Sequence, residues 1–186
     1  MAEADPARVG AALRSTVAGE PRLSALLSYW EDLHGYASLP PKRRLDPLDL
    51  PRRILPILTL MELSEGGRRF YCRLCGTEVV NRYGRDPTGQ FDVEILAGPH
   101  LDYVRSLVHH VCASRKPVLS ETVAAGSTGR TTPIRRLCLP FADDQGAVGF
   151  ILLGYAFPPL HGQLPPGLLS TSFQETLRLG SDADSR

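Results

Sequence analysis

Cys72 and Cys75 stand in a Cys-Arg-Leu-Cys arrangement. On a helical turn or a knuckle, thiols at this spacing bind zinc or run dithiol redox chemistry. The segment around them reads as a strand, and on a regular strand an offset of three puts the two side chains on opposite faces. Cys112 and Cys138 stand alone and supply no second pair. All four are expected as small core residues, with no metal bound. His109 and His110 are adjacent, so on a helix they project about 100° apart and cannot readily share one ion. A haem ligand at either competes with a plain helix-surface histidine; His109 is expected to border the helix's apolar stripe and His110 to lie away from it. The Gly/Ser/Thr loop from Gly126 to Thr132 has backbone amides that could cradle an anion. It lacks the GxxxxGK[ST] pattern and a strand-to-helix context, so a hairpin loop is expected. Lys42-Arg43-Arg44 and Arg52-Arg53 are interleaved with Asp46 and Asp49, which points to local pairing on a solvated surface. There is no GxSxG and no HExxH, and Ser120-Glu121 and Asp143-Asp144 read as strand and turn surface. No catalytic residue is expected.

The chain has 186 residues, is 42% hydrophobic and carries a formal net charge of +1. That suits one core with tails, and the balanced charge argues against a general nucleic-acid surface. The N-terminus lacks the pattern of a secretory signal, and no apolar run reaches the ~18 residues of a membrane span. A cytoplasmic protein with reduced thiols is the expectation.

These residues are positioned by elements legible from periodicity. Residues 1–20 are expected as a frayed helix or disordered. After Pro21, the residues Leu23, Leu26, Leu27, Trp30 and Leu33 make one helical stripe, with Gly35 as a stop. Five prolines between Pro40 and Pro56 exclude a long helix or central strand. Asp46-Pro47 fits the start of a short helical turn. Strands are expected over Ile57–Leu63 and Arg68–Cys75, joined at Ser64–Gly67. In the second, Phe70, Cys72 and Leu74 would face one way and Tyr71, Arg73 and Cys75 the other.

A short helix capped by Thr77 follows over Glu78–Tyr83, buried through Val79, Val80 and Tyr83 and ended by Gly84. Phe91–Leu96 reads as irregular. A longer helix, Pro99–Ser114, turns Leu101, Val104, Leu107, Val108, Val111 and Cys112 inward. Three more strands are expected over Val118–Ala124, Thr131–Phe141 and Ala147–Phe157. The last is apolar on both faces and so central. From Pro158 the chain is rich in Pro, Gly and Ser, with a weak amphipathic patch over Leu168–Leu179.

This order resembles the PAS superfamily, through the strand, the short helix and Gly84-Arg85-Asp86-Pro87-Thr88-Gly89, and through the final hairpin from Leu139 to Leu153. More narrowly, the chain is similar to small stand-alone bacterial PAS-like proteins. The matching residues are Tyr29-Trp30, Asp46-Pro47-Leu48-Asp49-Leu50-Pro51, Leu55-Pro56 and Arg73-Leu74-Cys75-Gly76-Thr77. The resemblance implies an α+β fold: a five-stranded antiparallel sheet with helices on one face and the N-terminal helix over the other. It implies a domain at 21–157, between the N-terminal segment and a 158–186 tail, that is sensory or interacting and not catalytic. It supplies no cofactor. A small apolar ligand would sit among Phe70, Cys72, Val80, Tyr83, Leu107, Val111 and Leu152. A homodimer or signalling partner would engage the Trp30 helix through Trp30, Leu26 and Leu27, with neither nucleic acid nor membrane involved. The competing readings are a haem- or flavin-bearing sensor, although no flavin-type cysteine motif is present, and an enzyme on a cystatin-like or hotdog-like sheet. Those sheets usually wrap an early long helix, whereas here the long helix comes mid-chain.

Overall fold

The computed structural model describes residues 6–34, 39–125, 131–157 and 174–176. Gly35, the 126–130 loop and most of the tail fall outside them. In chain order the elements are α1 (Pro6–Val17), α2 (Pro21–His34), β1 (Leu58–Ser64), β2 (Arg69–Cys75), α3 (Thr77–Tyr83), α4 (Asp92–Ile95), α5 (Gly98–Ser114), β3 (Val118–Ala125), β4 (Thr131–Ala142), β5 (Val148–Ala156) and β6 (Gln174–Thr176). Of the two states left open for the N-terminal segment, residues 6–17 take the helical one, with Leu13 and Val17 buried. Short 3-10 turns carry the proline-rich connector. At one of them Asp46 Oδ1 accepts the Leu48 N–H at 2.8 Å, as an N-cap should.

The sheet runs β2-β1-β5-β4-β3-β6 with every pair antiparallel. Strands β1 to β5 are the expected five. The three-residue β6 comes from the stretch read as an amphipathic patch and pairs with β3 at Glu121–Val123. β5 lies between β1 and β4, and its alternation divides two cores. Ile151, Leu153 and Tyr155 face α3 and α5. Leu152 and Ala156 face α2 together with Leu137, Leu139 and Phe141 of β4. A sheet covered on both faces needs an apolar central strand, and β5 supplies it.

Two glycines set the helix approaches. A Cβ on Gly154 of β5 would lie 2.4 Å from Leu26 Cδ2, so α2 can sit this close only over a bare backbone. A Cβ on Gly76 would lie 2.4 Å from the Pro56 carbonyl oxygen. Gly76 also donates its N–H to the Leu58 carbonyl at 2.7 Å, and it, rather than Thr77, is the N-cap of α3. The expected Thr77 cap is corrected: Thr77 is already inside the helix and makes no side-chain cap bond. Gly76→Ala should therefore cost about 1–3 kcal/mol, because the clash is with backbone that cannot rotate away. Urea unfolding reads this directly, and an unchanged midpoint would mean that the β1–α3 junction yields.

Candidate functional site

Between the inner sheet face and helices α3 to α5 lies a cavity. Its floor is Thr59 and Met61 of β1, Phe70, Cys72 and Cys75 of β2, Arg136 of β4, and Leu153 and Tyr155 of β5. Its walls are Val79 and Tyr83 from α3, Ile95 and Leu96 around the end of α4, and His100, Val104 and Leu107 from α5. Arg85 and Pro87, from the turn after α3, complete it; Arg85 is exposed and marks the solvent side.

The turn Gly84–Gly89 owes its place to the free edge of β2. Gly89 donates to the Cys72 carbonyl at 2.9 Å, and Cys72 donates to the Gln90 carbonyl at 3.0 Å. Asp86 Oδ1 accepts the Thr88 N–H at 2.9 Å, holding the turn that brings Gly89 there. The Gly-x-Asp-x-x-Gly pattern thus satisfies an otherwise open edge and closes the cavity at that end. Phe91–Leu96, expected as irregular, holds the four-residue α4. Glu94 accepts the Phe91 N–H at 2.7 Å at the helix start. Asp92 is fully buried and accepts from Arg69 of β2 at 2.7 Å and from Arg105 of α5 at 2.6 Å. One carboxylate so pins β2, α4 and α5. Its pKa is held below the usual carboxylate value: burial pushes it up, and the bonds from Arg69 and Arg105 outweigh that.

Of the expected lining residues, Phe70, Cys72, Tyr83 and Leu107 border the cavity. Val79, not Val80, faces it, since Val79 lies one turn before Tyr83. Val111 is fully buried in the same core but away from the cavity. Leu152 is on the wrong face: β5 presents Leu153 and Tyr155 inward and Leu152 to α2. Cys75 is the clearest correction. Thr59 pairs with Cys75, Leu60 with Leu74, and Met61 with Cys72, so Arg73 is an extra residue bulged out of β2. The bulge resets the alternation, leaving Leu74 exposed and both cysteines on the cavity side. Burial pushes the Cys72 thiol up to about 12 and raises Cys75 as well, the reverse of what a reactive dithiol needs. Among the described residues no group of three His, Cys, Asp or Glu is placed to hold a metal.

Trp30, Leu26 and Leu27 lie inside the chain, each at most 1% exposed. Trp30 donates its indole N–H to the Pro140 carbonyl at 2.8 Å. They pack α2 onto the sheet and are not presented to a partner. On α5 the expected phase is also shifted: His109 is exposed and His110 half-buried, because His109 points opposite the Val104–Leu107–Val111 stripe. The histidine that borders the cavity is His100, which periodicity missed together with Tyr103.

The other unforeseen resident is Arg136. Its phase on β4, between Ile134 and Cys138, was legible as inward, and a charge in the apolar phase of a strand was the available signal. It is 3% exposed. Nη1 donates to Thr122 Oγ1 at 2.7 Å and Nη2 to the Tyr83 hydroxyl at 3.1 Å. Its guanidinium carbon lies 5.6 Å from the Tyr155 ring centroid and 6.0 Å from that of Tyr103. Aromatic faces offset part of the cost of burying a cation. Burial, and after it the charge of Arg136, lowers the His100 pKa to about 3, so His100 is neutral.

A water-sized molecule can place its centre within about 70 Å³ of the cavity, room on the order of five waters. Neither His109 nor His110 borders the cavity.

Residues 19–155 match the family model described as a PAS domain. No curated protein matches the sequence. Among solved structures, the PAS domain of the fruit-fly ELK potassium channel is 12% identical, covering 54% of this chain and 84% of that one, at a TM-score of 0.37. The PAS domain of Bordetella pertussis BvgS is 15% identical over 62% of this chain and 89% of that one, also at 0.37. The Vibrio cholerae VqmA dimer is 11% identical over 63% of this chain and 55% of that one, again at 0.37. Distances of this order carry neither ligand nor partner across.

Proposed function

The chain belongs to the PAS domain family, and from that premise we propose a sensory domain that binds a small organic ligand in the cavity and performs no chemistry on it. The cavity is the observation that carries this reading: it lies where sheet and helices meet, its walls are mostly apolar, and a few polar groups converge in it. The raised thiols and the neutral, buried His100 support binding over catalysis. Within the family we place the chain with small stand-alone bacterial proteins, on the strength of the Asp46–Pro51 and Arg73–Thr77 motifs.

The signal would pass through β5. Leu153 and Tyr155 touch the cavity, while their neighbours Leu152 and Ala156 touch the α2 core. A ligand that favours one packing of the strand thereby shifts how α2 sits, a change of population between two states. A second copy or a signalling partner would read that shift on the outer surface of α1 and α2. We read the domain as cytoplasmic, which its free cysteines support. Among the described residues no helix is long and apolar enough to cross a membrane.

Native mass spectrometry of freshly purified protein tests the reading. The expected result is a chain carrying a small organic mass that is lost on denaturation. In a Val104→Phe variant, which fills the cavity, the protein stays folded and that mass disappears. A bare wild-type chain that no small molecule stabilises would sink the reading.

A further inference from the structure

Among the described residues, Arg136 is a buried cation without a counter-charge. The described ion pairs join Arg14 to Glu31, Arg22 to Glu78, Arg69 and Arg105 to Asp92, Arg73 to Glu62, and Arg135 to Glu20 and Glu121; none involves Arg136. Among the described residues, the cavity is bordered by two arginines and by no Asp or Glu. A guanidinium stays charged at any physiological pH, and burying one unpaired is among the costliest placements a side chain can have. Thr122 and Tyr83 are neutral acceptors, and each occupies one N–H on a nitrogen that carries two. Ser120, the register partner of Arg136 on β3, is fully buried, and its hydroxyl has no partner among the described residues. The guanidinium at this end of the cavity thus keeps N–H donors that the described protein groups do not use, beside a buried hydroxyl in the same state.

We propose that the cavity takes a small organic monoanion, a carboxylate on a short aliphatic or single-ring body, and that Arg136 recognises its charge. This rests on the ligand-cavity reading above. The planar guanidinium fork matches a carboxylate. The apolar remainder of the ligand lies against Met61, Phe70, Leu107 and Leu153. One buried charge matches one negative charge. Arg85 does not add a second, because it is exposed and its guanidinium already donates to the Glu94 carbonyl at 2.7 Å and to that of Ile95. A phosphate dianion would leave a charge unmatched. His100, being neutral, does not alter the charge balance.

Calorimetric titration of the full chain with butyrate, hexanoate, benzoate and phenylacetate, each beside its neutral amide, tests this, with inorganic phosphate as a further arm. At least one acid is expected to bind about tenfold or more tightly than its amide, as a charge-assisted bond would require. Arg136→Met, which keeps the bulk and removes the charge, should abolish that preference while circular dichroism still shows a folded chain. Equal affinity for acid and amide overturns the anion assignment and leaves the cavity reading standing. Phosphate binding tighter than every carboxylate overturns the ligand class. No binding of any acid or amide overturns both. If Arg136→Met does not fold, the comparison of acid with amide on the wild-type chain still decides.

Discussion

Trp30→Ala is expected to destabilise the fold by about 3–5 kcal/mol, the cost of truncating a large, fully enclosed aromatic. The ring is 1% exposed, and its N–H is satisfied by the Pro140 carbonyl at 2.8 Å. Alanine leaves a cavity between α2 and the sheet and an unpaired buried carbonyl. Trp30→Phe keeps most of the ring, loses the bond, and should cost about 1–3 kcal/mol. Trp30 is the protein's single tryptophan, so urea unfolding must be followed by far-ultraviolet circular dichroism. A cost below about 1 kcal/mol for alanine would mean that α2 repacks freely, and its role in relaying a signal would lose its physical basis. A charged residue at position 30 would unfold the chain before it tested any interface.

Acidification is expected to weaken the fold through His100. Its folded pKa is lowered from 6.5 to about 3, so the unfolded chain binds a proton over that interval and the folded chain does not. Stability is therefore full above pH 6.5 and is lost as pH falls towards 3, at a rate approaching about 1.4 kcal/mol per pH unit. From pH 6.5 to about 4.5 the loss attributable to this residue is roughly 2 kcal/mol. Asp92 acts with the same sign, its stability being lost as pH falls through its depressed folded pKa, but in a more acidic window below about pH 4. Urea midpoints of wild type and His100→Gln at pH 6.5 and about 4.5 separate the two. The variant should lose markedly less than wild type. An equal loss would place the protonated imidazole comfortably inside the folded protein and remove this account of the site's electrostatics.

The core at the α2 face was readable because each of its parts is periodic. Leu23, Leu26, Leu27 and Trp30 repeat at helical spacing, and Leu137, Leu139 and Phe141 alternate on β4. The cavity was only partly readable. Phe70, Cys72, Tyr83 and Leu107 follow from the same periodicities. Cys75 did not, because the bulge at Arg73 exists only where β2 pairs with β1. Leu152 was assigned to the wrong face because β5 is apolar on both sides, and composition then cannot say which side meets which helix.

By itself the sequence determined the order of α2, α3, α5 and strands β1 to β5, the central place of β5 and the Gly84–Gly89 turn, but neither α4 nor β6. Each follows from local spacing, chain reversal or the lack of a polar face. The tertiary structure alone decided what surrounds Arg136 and His100. Thr122, Tyr83, Tyr103 and Tyr155 come to Arg136 from β3, α3, α5 and β5, and nothing in their spacing along the chain announces that meeting. The reason is physical: periodicity reports which side of an element is apolar, whereas the cost of a buried charge depends on which partners the folded chain brings to it.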